Sequence, residues 1–170
     1  LRNPGRDIND DVVQAAAEAA KRREAEANKG KNYVIPPEGL DLPGGQKTRF
    51  NLNVEAIKIA KDLEAEGRIA TPEEQQALAR YVGWGGIPDA FDARGRVKEG
   101  WEAENQTLKE LLSEEEYEAA RRSTTNAHYT EIGIIRSMYD ALKKWGFKGG
   151  YVLEPSSGIG NFIGAAPSFG

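Results

Sequence analysis

The sequence contains no cysteine and only one histidine, His128. Without cysteine the chain has no disulfide framework and no thiolate metal site, and a single imidazole does not supply the several ligands that a zinc or iron centre needs. We therefore expect no metal chemistry and assign no metal ligand.

The chain also lacks an excess of positive charge and any long apolar run. Its 170 residues include 23 lysines and arginines against 27 aspartates and glutamates, for a net charge of -4. A protein that coats nucleic acid needs a basic surface, so any DNA groove must be local or lie elsewhere in a longer protein. No segment approaches the roughly 20 apolar residues of a membrane helix, and no secretory signal opens the chain. These absences predict a cytoplasmic protein with no membrane partner.

The organisation of the chain follows from changes in its composition. The first residue is Leu1 and the single methionine is Met138, so we expect a piece of a longer polypeptide. The length suits one domain or two small ones. We divide it into an N-terminal helix and extended arm over residues 1–50, a helical domain over 51–125, and a third part over 126–170.

Helix-forming patterns dominate the first two parts. An alanine-rich helix is predicted over residues 11–28, and an irregular arm rich in glycine and proline follows it. Asn53 is interpreted as the cap of a helix that runs to Gly67. Thr71 opens a capping-box pattern, and Ser113 is a cap followed by three glutamates at the positive end of a helix dipole. The remaining helices of this part are predicted over residues 71–82, 99–112 and 113–122.

Residues 83–86 read Gly-Trp-Gly-Gly at the end of one of these helices. Glycines let the backbone turn sharply, and one large ring gives the turn something to bury. We therefore interpret Trp84 as a packing anchor. A stacking platform for a nucleic-acid base is the alternative interpretation.

The third part has a different pattern, with a helix over residues 131–145, a short strand over 151–153, a glycine-rich turn and another helix. In a doubly wound sheet such a turn receives a nucleotide-like ligand, because small residues let it approach the backbone. A P-loop is excluded because no lysine followed by serine or threonine comes after the second glycine. Ile163 replaces the third glycine of a dinucleotide fingerprint, and Glu154 would repel a pyrophosphate. A carboxylate there suits a ligand with a cationic part.

Two motifs in this part resemble those of a known family. The segment over residues 153–162, LEPSSGIGNF, is similar to the first cofactor motif of class I methyltransferases, in the form typical of adenine-specific (N6) DNA methyltransferases. The segment over residues 126–130, NAHYT, resembles the Tyr-Thr motif found one helix upstream in that family. Stretches between residues 30 and 130 resemble the helical leader of large phage and mobile-element proteins that join such a methylase to a helicase-like region, proteins associated with antirestriction.

The resemblance implies a chain that is mainly α, with a helical N-terminal domain followed by the first helix-strand-helix of an incomplete α/β Rossmann-like methyltransferase fold. Residues 126–170 would then begin the domain that binds S-adenosylmethionine, whose ammonium and sulfonium groups match an acidic strand end. The resemblance implies that Tyr129 and Thr130 contact the methionine carboxylate and that Glu154 orients the amino group. The other implied cofactor residues are Pro155, Gly158, Gly160, Asn161 and Phe162.

The residues by themselves leave simpler roles open. Thr130 is also a good cap for the next helix, and Tyr129 is equally suited to a core position. In the simpler interpretation Phe162 is the first buried residue of the next helix. The resemblance implies instead that it packs on the cofactor or closes the turn. For His128 we prefer a surface or hydrogen-bonding role to catalysis, because the sequence identifies no nucleophile or carboxylate partner for it.

The second signature of the adenine-N6 enzymes, Asp or Asn followed by Pro-Pro and an aromatic residue, is missing. The only Pro-Pro pair is Pro36-Pro37, which is flanked by Ile35 and Glu38. We assign no catalytic residue and expect this chain alone to be inactive, with DNA and the remainder of the methyltransferase domain as partners in the full-length protein. The alternatives are a non-catalytic helical interaction module, or an RNA or protein methyltransferase with the same cofactor turn.

Overall fold

The computed structural model describes residues 8–42, 44–92 and 95–167. Over these ranges the chain is mainly helical and forms no strand. None of the helices described is both long enough and apolar enough to span a membrane. In chain order the α-helices are α1 (Ile8–Ala27), α2 (Gln46–Glu66), α3 (Pro72–Ala79), α4 (Glu102–Leu111), α5 (Glu114–Ser123), α6 (Ile132–Lys144) and α7 (Asn161–Gly164), with a 3-10 turn at Pro88–Ala90 between α3 and α4.

Aromatic rings from distant parts of the chain form the core of the helical region. The ring centroid of Trp84 lies 6.2 Å from that of Phe50 and 5.2 Å from that of Phe91, which in turn lies 5.3 Å from Tyr117. Trp84 is only 3% exposed. The prediction of a packing anchor is confirmed, and the stacking alternative is wrong because a buried ring offers no free face to a base.

Helix α2 begins earlier than the sequence pattern predicted. It starts at Gln46, directly after Gly45 with φ +93°, so the arm before it ends sooner than residue 50. Asn53 lies inside α2 with its side chain fully buried, donating from Nδ2 to the Gly83 carbonyl at 2.7 Å and accepting from the Val82 N–H at 2.9 Å. The prediction of Asn53 as a cap was wrong because its amide bonds a distant turn instead of its own helix.

Both predicted serine and threonine caps are present. Thr71 Oγ1 accepts from the Glu74 N–H at 3.3 Å, while the Glu74 carboxylate accepts from the Thr71 N–H at 3.0 Å. Ser113 and Glu116 make the same reciprocal pair, at 3.2 and 2.8 Å. Each pair satisfies two donors that the helix leaves free, which sets the start of α3 and α5.

The arm between α1 and α2 lies on the C-terminal part of the chain. Ile35 is buried, and its N–H donates to the Gly164 carbonyl at 2.7 Å. The Arg136 guanidinium of α6 donates to the Pro37 carbonyl at 2.6 Å. Val34, which precedes the anchored Ile35, is exposed. These contacts hold the arm beside the glycine-rich turn.

The strand predicted over residues 151–153 is absent from the described structure. Tyr151, Val152 and Leu153 are 110%, 63% and 87% exposed, and no described segment pairs with them. A single extended segment cannot satisfy its backbone hydrogen bonds without a neighbouring strand. The mainly helical character of the chain is therefore established, while the Rossmann-like beginning is not.

Candidate functional site

The two segments that carry the family resemblance lie side by side. The first is the loop of residues 126–130 between α5 and α6, and the second is the turn of residues 154–160 before α7. Asn161 Nδ2 donates to the Thr130 carbonyl at 3.1 Å. A Cβ placed on Gly158 would lie 3.0 Å from Cδ1 of Tyr129, so the turn rests directly against that ring.

Between the two segments is a cleft of about 320 Å³, which we call the motif cleft. Five of the eight predicted cofactor residues line it, together with His128, which is exposed. No carboxylate, lysine or arginine is among the lining residues, so hydroxyls and amides supply most of its polarity. The predicted residues that line the motif cleft are Tyr129, Thr130, Gly158, Asn161 and Phe162.

The glycine turn depends on backbone angles that favour glycine. Gly158 has φ +55° and Gly160 has φ +83°, both in the left-handed region. The turn closes through a hydrogen bond from the Gly160 N–H to the Ser157 carbonyl at 2.8 Å. A Cβ on Gly160 would meet nothing within 4 Å, but Gly160 lines a neighbouring cavity with Ile35 and does not line the motif cleft.

Glu154 does not line the motif cleft. Its Oε1 accepts from the Ser156 N–H at 2.9 Å, which turns the carboxylate back onto its own loop. It lines a separate cavity of about 400 Å³ next to α6, and Phe162 borders both spaces. Pro155 is exposed. The structure therefore brings Tyr129 and Thr130 to the glycine turn but leaves Glu154 on the other side of Phe162.

The backbone of Phe162 is held in place by α6. The Tyr139 hydroxyl donates to the Phe162 carbonyl at 2.8 Å. Burial raises the pKa of Tyr139, and the negative charge of Glu154 raises it further. Tyr139 carries no motif in the sequence, and its only signal there is its place on the helix predicted over residues 131–145.

The cap of α6 is Glu131, since its side chain accepts from the Ile134 N–H at 3.2 Å. The interpretation of Thr130 as the helix cap was therefore wrong, and its exposed side chain lines the motif cleft instead. Tyr129 is 37% exposed, so it is not a simple core residue. Burial raises the pKa of nearby Tyr81 to about 12, with a further contribution from the phenol of Tyr129.

Metal binding has no support in the described part of the chain, where no three His, Asp or Glu side chains come together as ligands. The motif cleft offers a polar binding surface with hydroxyl and amide groups and a tight glycine turn. Such a surface can hold a small polar ligand by hydrogen bonds. Comparisons of this chain with protein-family models, with curated proteins and with solved structures found no match.

Proposed function

We propose that this chain is the N-terminal region of an S-adenosylmethionine-dependent DNA adenine-N6 methyltransferase and that the motif cleft receives the methionine end of the cofactor. One observation carries the proposal: the Tyr-Thr motif and the glycine motif meet, joined by the hydrogen bond from Asn161 to Thr130. Two halves of one binding site must lie side by side, whereas two unrelated surface loops have no reason to do so. The contact between the two segments therefore supports a shared site.

The groups that line the motif cleft support a carboxylate ligand. The hydroxyls of Thr130, Ser156 and Ser157 and the amide of Asn161 are donors, and no lining carboxylate would repel the methionine carboxylate. In this proposal the Phe162 side chain packs against the cofactor from the wall that separates the motif cleft from the Glu154 cavity.

Glu154 joins this site only after a local change. Its carboxylate must leave the Ser156 N–H and turn past Phe162 before it can reach an ammonium group in the motif cleft. A cationic ligand supplies the reason for such a turn, since an ammonium group adds the attraction between two full opposite charges, which the neutral Ser156 N–H does not offer. Pro155 contributes by shaping the turn between Glu154 and the glycines.

The remainder of the methyltransferase domain is the partner that we propose for an exposed apolar surface. On α6 the residues Ile134, Met138 and Leu142 repeat every four positions, so they share one face, and all three are exposed. Residues 151–153 add further exposed apolar side chains. Neighbouring strands that covered this surface would also pair with residues 151–153 and complete a Rossmann-like sheet.

The chain's own part in the reaction is to position the methyl donor. In the complete enzyme the exocyclic amine of adenine would bond to the sulfonium methyl as the carbon–sulfur bond breaks in line, which would release the neutral thioether and a proton from the amine. Alignment of the two groups would supply much of the catalysis. DNA binding and the acceptor groups for the amine come from the rest of the protein. We therefore propose a cytoplasmic enzyme that modifies the DNA of a mobile element, with this chain alone inactive.

Calorimetry with S-adenosylmethionine tests the proposal on two polypeptides, the 170-residue chain and the longer protein of which we propose that it is the N-terminal region. We expect weak or no binding by the chain alone and saturable binding by the longer protein. Thr130→Val removes one donor to the carboxylate and should weaken binding by about tenfold or more. Thr125→Val is the matched control, because Thr125 belongs to the same loop region but does not line the motif cleft.

Transfer of a labelled methyl group to DNA by the longer protein completes the test. The proposal fails if that protein binds no S-adenosylmethionine, or if the two threonine variants weaken binding equally. Methylation of RNA or protein instead of adenine in DNA would retain the cofactor site and replace the substrate. The alternative of a non-catalytic interaction module is favoured if the exposed face of α6 binds a protein while no cofactor binds.

A further inference from the structure

The Gly-Trp-Gly-Gly turn of the helical region makes close contact with the Tyr-Thr motif. A Cβ on Gly83 would lie 2.5 Å from the Tyr129 hydroxyl oxygen and 2.7 Å from its Cε2. A Cβ on Gly85 would collide with the carbonyl oxygen of Ala127. Real Cβ atoms do not approach other atoms so closely, so the loop of residues 126–130 sits where only glycine leaves room.

This turn is anchored on its other side to the core of the helical region. The buried Asn53 amide bonds the backbone of Val82 and Gly83 at 2.9 and 2.7 Å. Between the glycines, the Trp84 ring packs edge-on against Phe91 and close to Phe50. The turn is therefore a fixed surface and not a mobile loop, because both its backbone and its central side chain are tied to the core.

Tyr129 carries this contact across to the glycine turn of the motif cleft. One part of its ring faces Gly83, while Cδ1 and Cε1 would lie 3.0 and 3.2 Å from a Cβ on Gly158. The ring is thus held between two glycines that are far apart in the sequence. If the Tyr129 ring moved away from Gly83, it would press on Gly158 and shift the glycine turn. The shape of the motif cleft therefore depends on the position of this ring.

We propose that the Gly83–Gly86 turn is a positioning element for the motif cleft: it holds Tyr129 in place, and Tyr129 in turn sets the position of the glycine turn. The helical region is then a structural part of the binding site and not an independent appendage. The ligand assigned to the cleft rests on the proposed function, but the mechanical coupling between the two turns does not.

The test separates this contact from ordinary glycine strain. Gly83 has φ +69°, so Gly83→Ala is strained whatever surrounds it. Gly67 has φ +60° and nothing within 4 Å of an added Cβ, so Gly67→Ala carries similar strain without a clash. We expect Gly83→Ala to lower the Tm more than Gly67→Ala. In a Tyr129→Ala background the extra loss should disappear, because the atoms that the new methyl group meets are gone.

Hydrogen exchange of the 170-residue chain gives the readout that a general loss of stability would not produce. The Gly160, Gly164 and Ala165 amides are hydrogen-bonded within the turn and α7. Gly83→Ala should speed their exchange by about tenfold relative to Gly67→Ala. The backbone amide of Asn105, bonded to the Trp101 carbonyl in the core, is the internal reference. Its exchange reports the loss of global stability, so exchange at the turn and α7 amides should speed up more than exchange at Asn105.

If Gly83→Ala does not fold, Tyr129→Ala alone decides the question, and it should speed exchange at the same amides more than at the backbone amide of Asn105. The proposal is overturned if the Gly83 and Gly67 variants have equal Tm values and equal exchange, or if Tyr129→Ala leaves the Gly160 and Gly164 amides unchanged. Coupling without any binding of S-adenosylmethionine by the longer protein would retain the positioning role and reject the proposed function.

Discussion

Replacing Asn53 by leucine measures how much the buried amide contributes to the fold. Leucine has a similar size, so the change removes hydrogen bonds with little change in volume. It leaves the Val82 N–H and the Gly83 carbonyl without their partner. Loss of a buried hydrogen-bond partner costs about 1–3 kcal/mol per group. The Val82 bond is only partly buried, so we expect the free energy of unfolding to fall by about 2–4 kcal/mol.

Urea denaturation followed by far-ultraviolet circular dichroism gives this free energy directly. Asn51→Leu is the matched control, since Asn51 is the same residue type on the same helix but exposed. A surface substitution of that kind should change stability by less than about 0.5 kcal/mol. If Asn53→Leu and Asn51→Leu gave equal losses, the Asn53 amide would not be bonding the turn, and the anchoring of residues 82–83 to the core would be refuted.

Three further predictions follow from the packing and the charges. Ser113→Ala removes one half of a capping box and should lower the free energy of unfolding by about 1 kcal/mol in urea titrations. The hydrogen bond from Arg68 is the main cause that lowers the pKa of Glu74 from 4.5 to about 2. The stability from this carboxylate is complete above pH 4.5 and is lost as the pH falls towards 2, so Glu74→Gln should flatten the pH dependence of stability in that range. Trp84→Ala should cost about 3–5 kcal/mol, whereas Trp145→Ala, at a side chain that is 81% exposed, should cost less than about 0.5 kcal/mol in the same assay.

The features that the sequence predicted correctly depend on neighbours a few residues away. A capping box needs only Thr71 and Glu74, or Ser113 and Glu116, and each pair lies within one helical turn. Gly67 ends α2 in a left-handed conformation for an equally local reason. Burial of Trp84 was predictable because a large ring among glycines in a helical region has few other uses.

The predictions that failed concerned residues whose partners are distant. Asn53 has the side chain of a typical helix cap, yet its amide forms hydrogen bonds with a turn about 30 residues away. No local sequence pattern predicts that partner. Residues 151–153 have the apolar composition of a strand, but a strand exists only when another lies beside it. In both cases the local structure depends on a partner that is distant in the sequence, the turn of residues 82–83 for Asn53 and a neighbouring strand for residues 151–153.

The sequence by itself determined the helical character of the chain, the helix caps, the tight turn around Trp84 and the two candidate motifs, because these depend on side-chain chemistry over a few consecutive residues. Only the tertiary structure decided that the two motifs meet, that Glu154 faces a different cavity, and that Tyr129 lies between Gly83 and Gly158. Such contacts arise when whole helices pack together. Close packing brings residues into contact that are far apart in the sequence, so no local pattern predicts them.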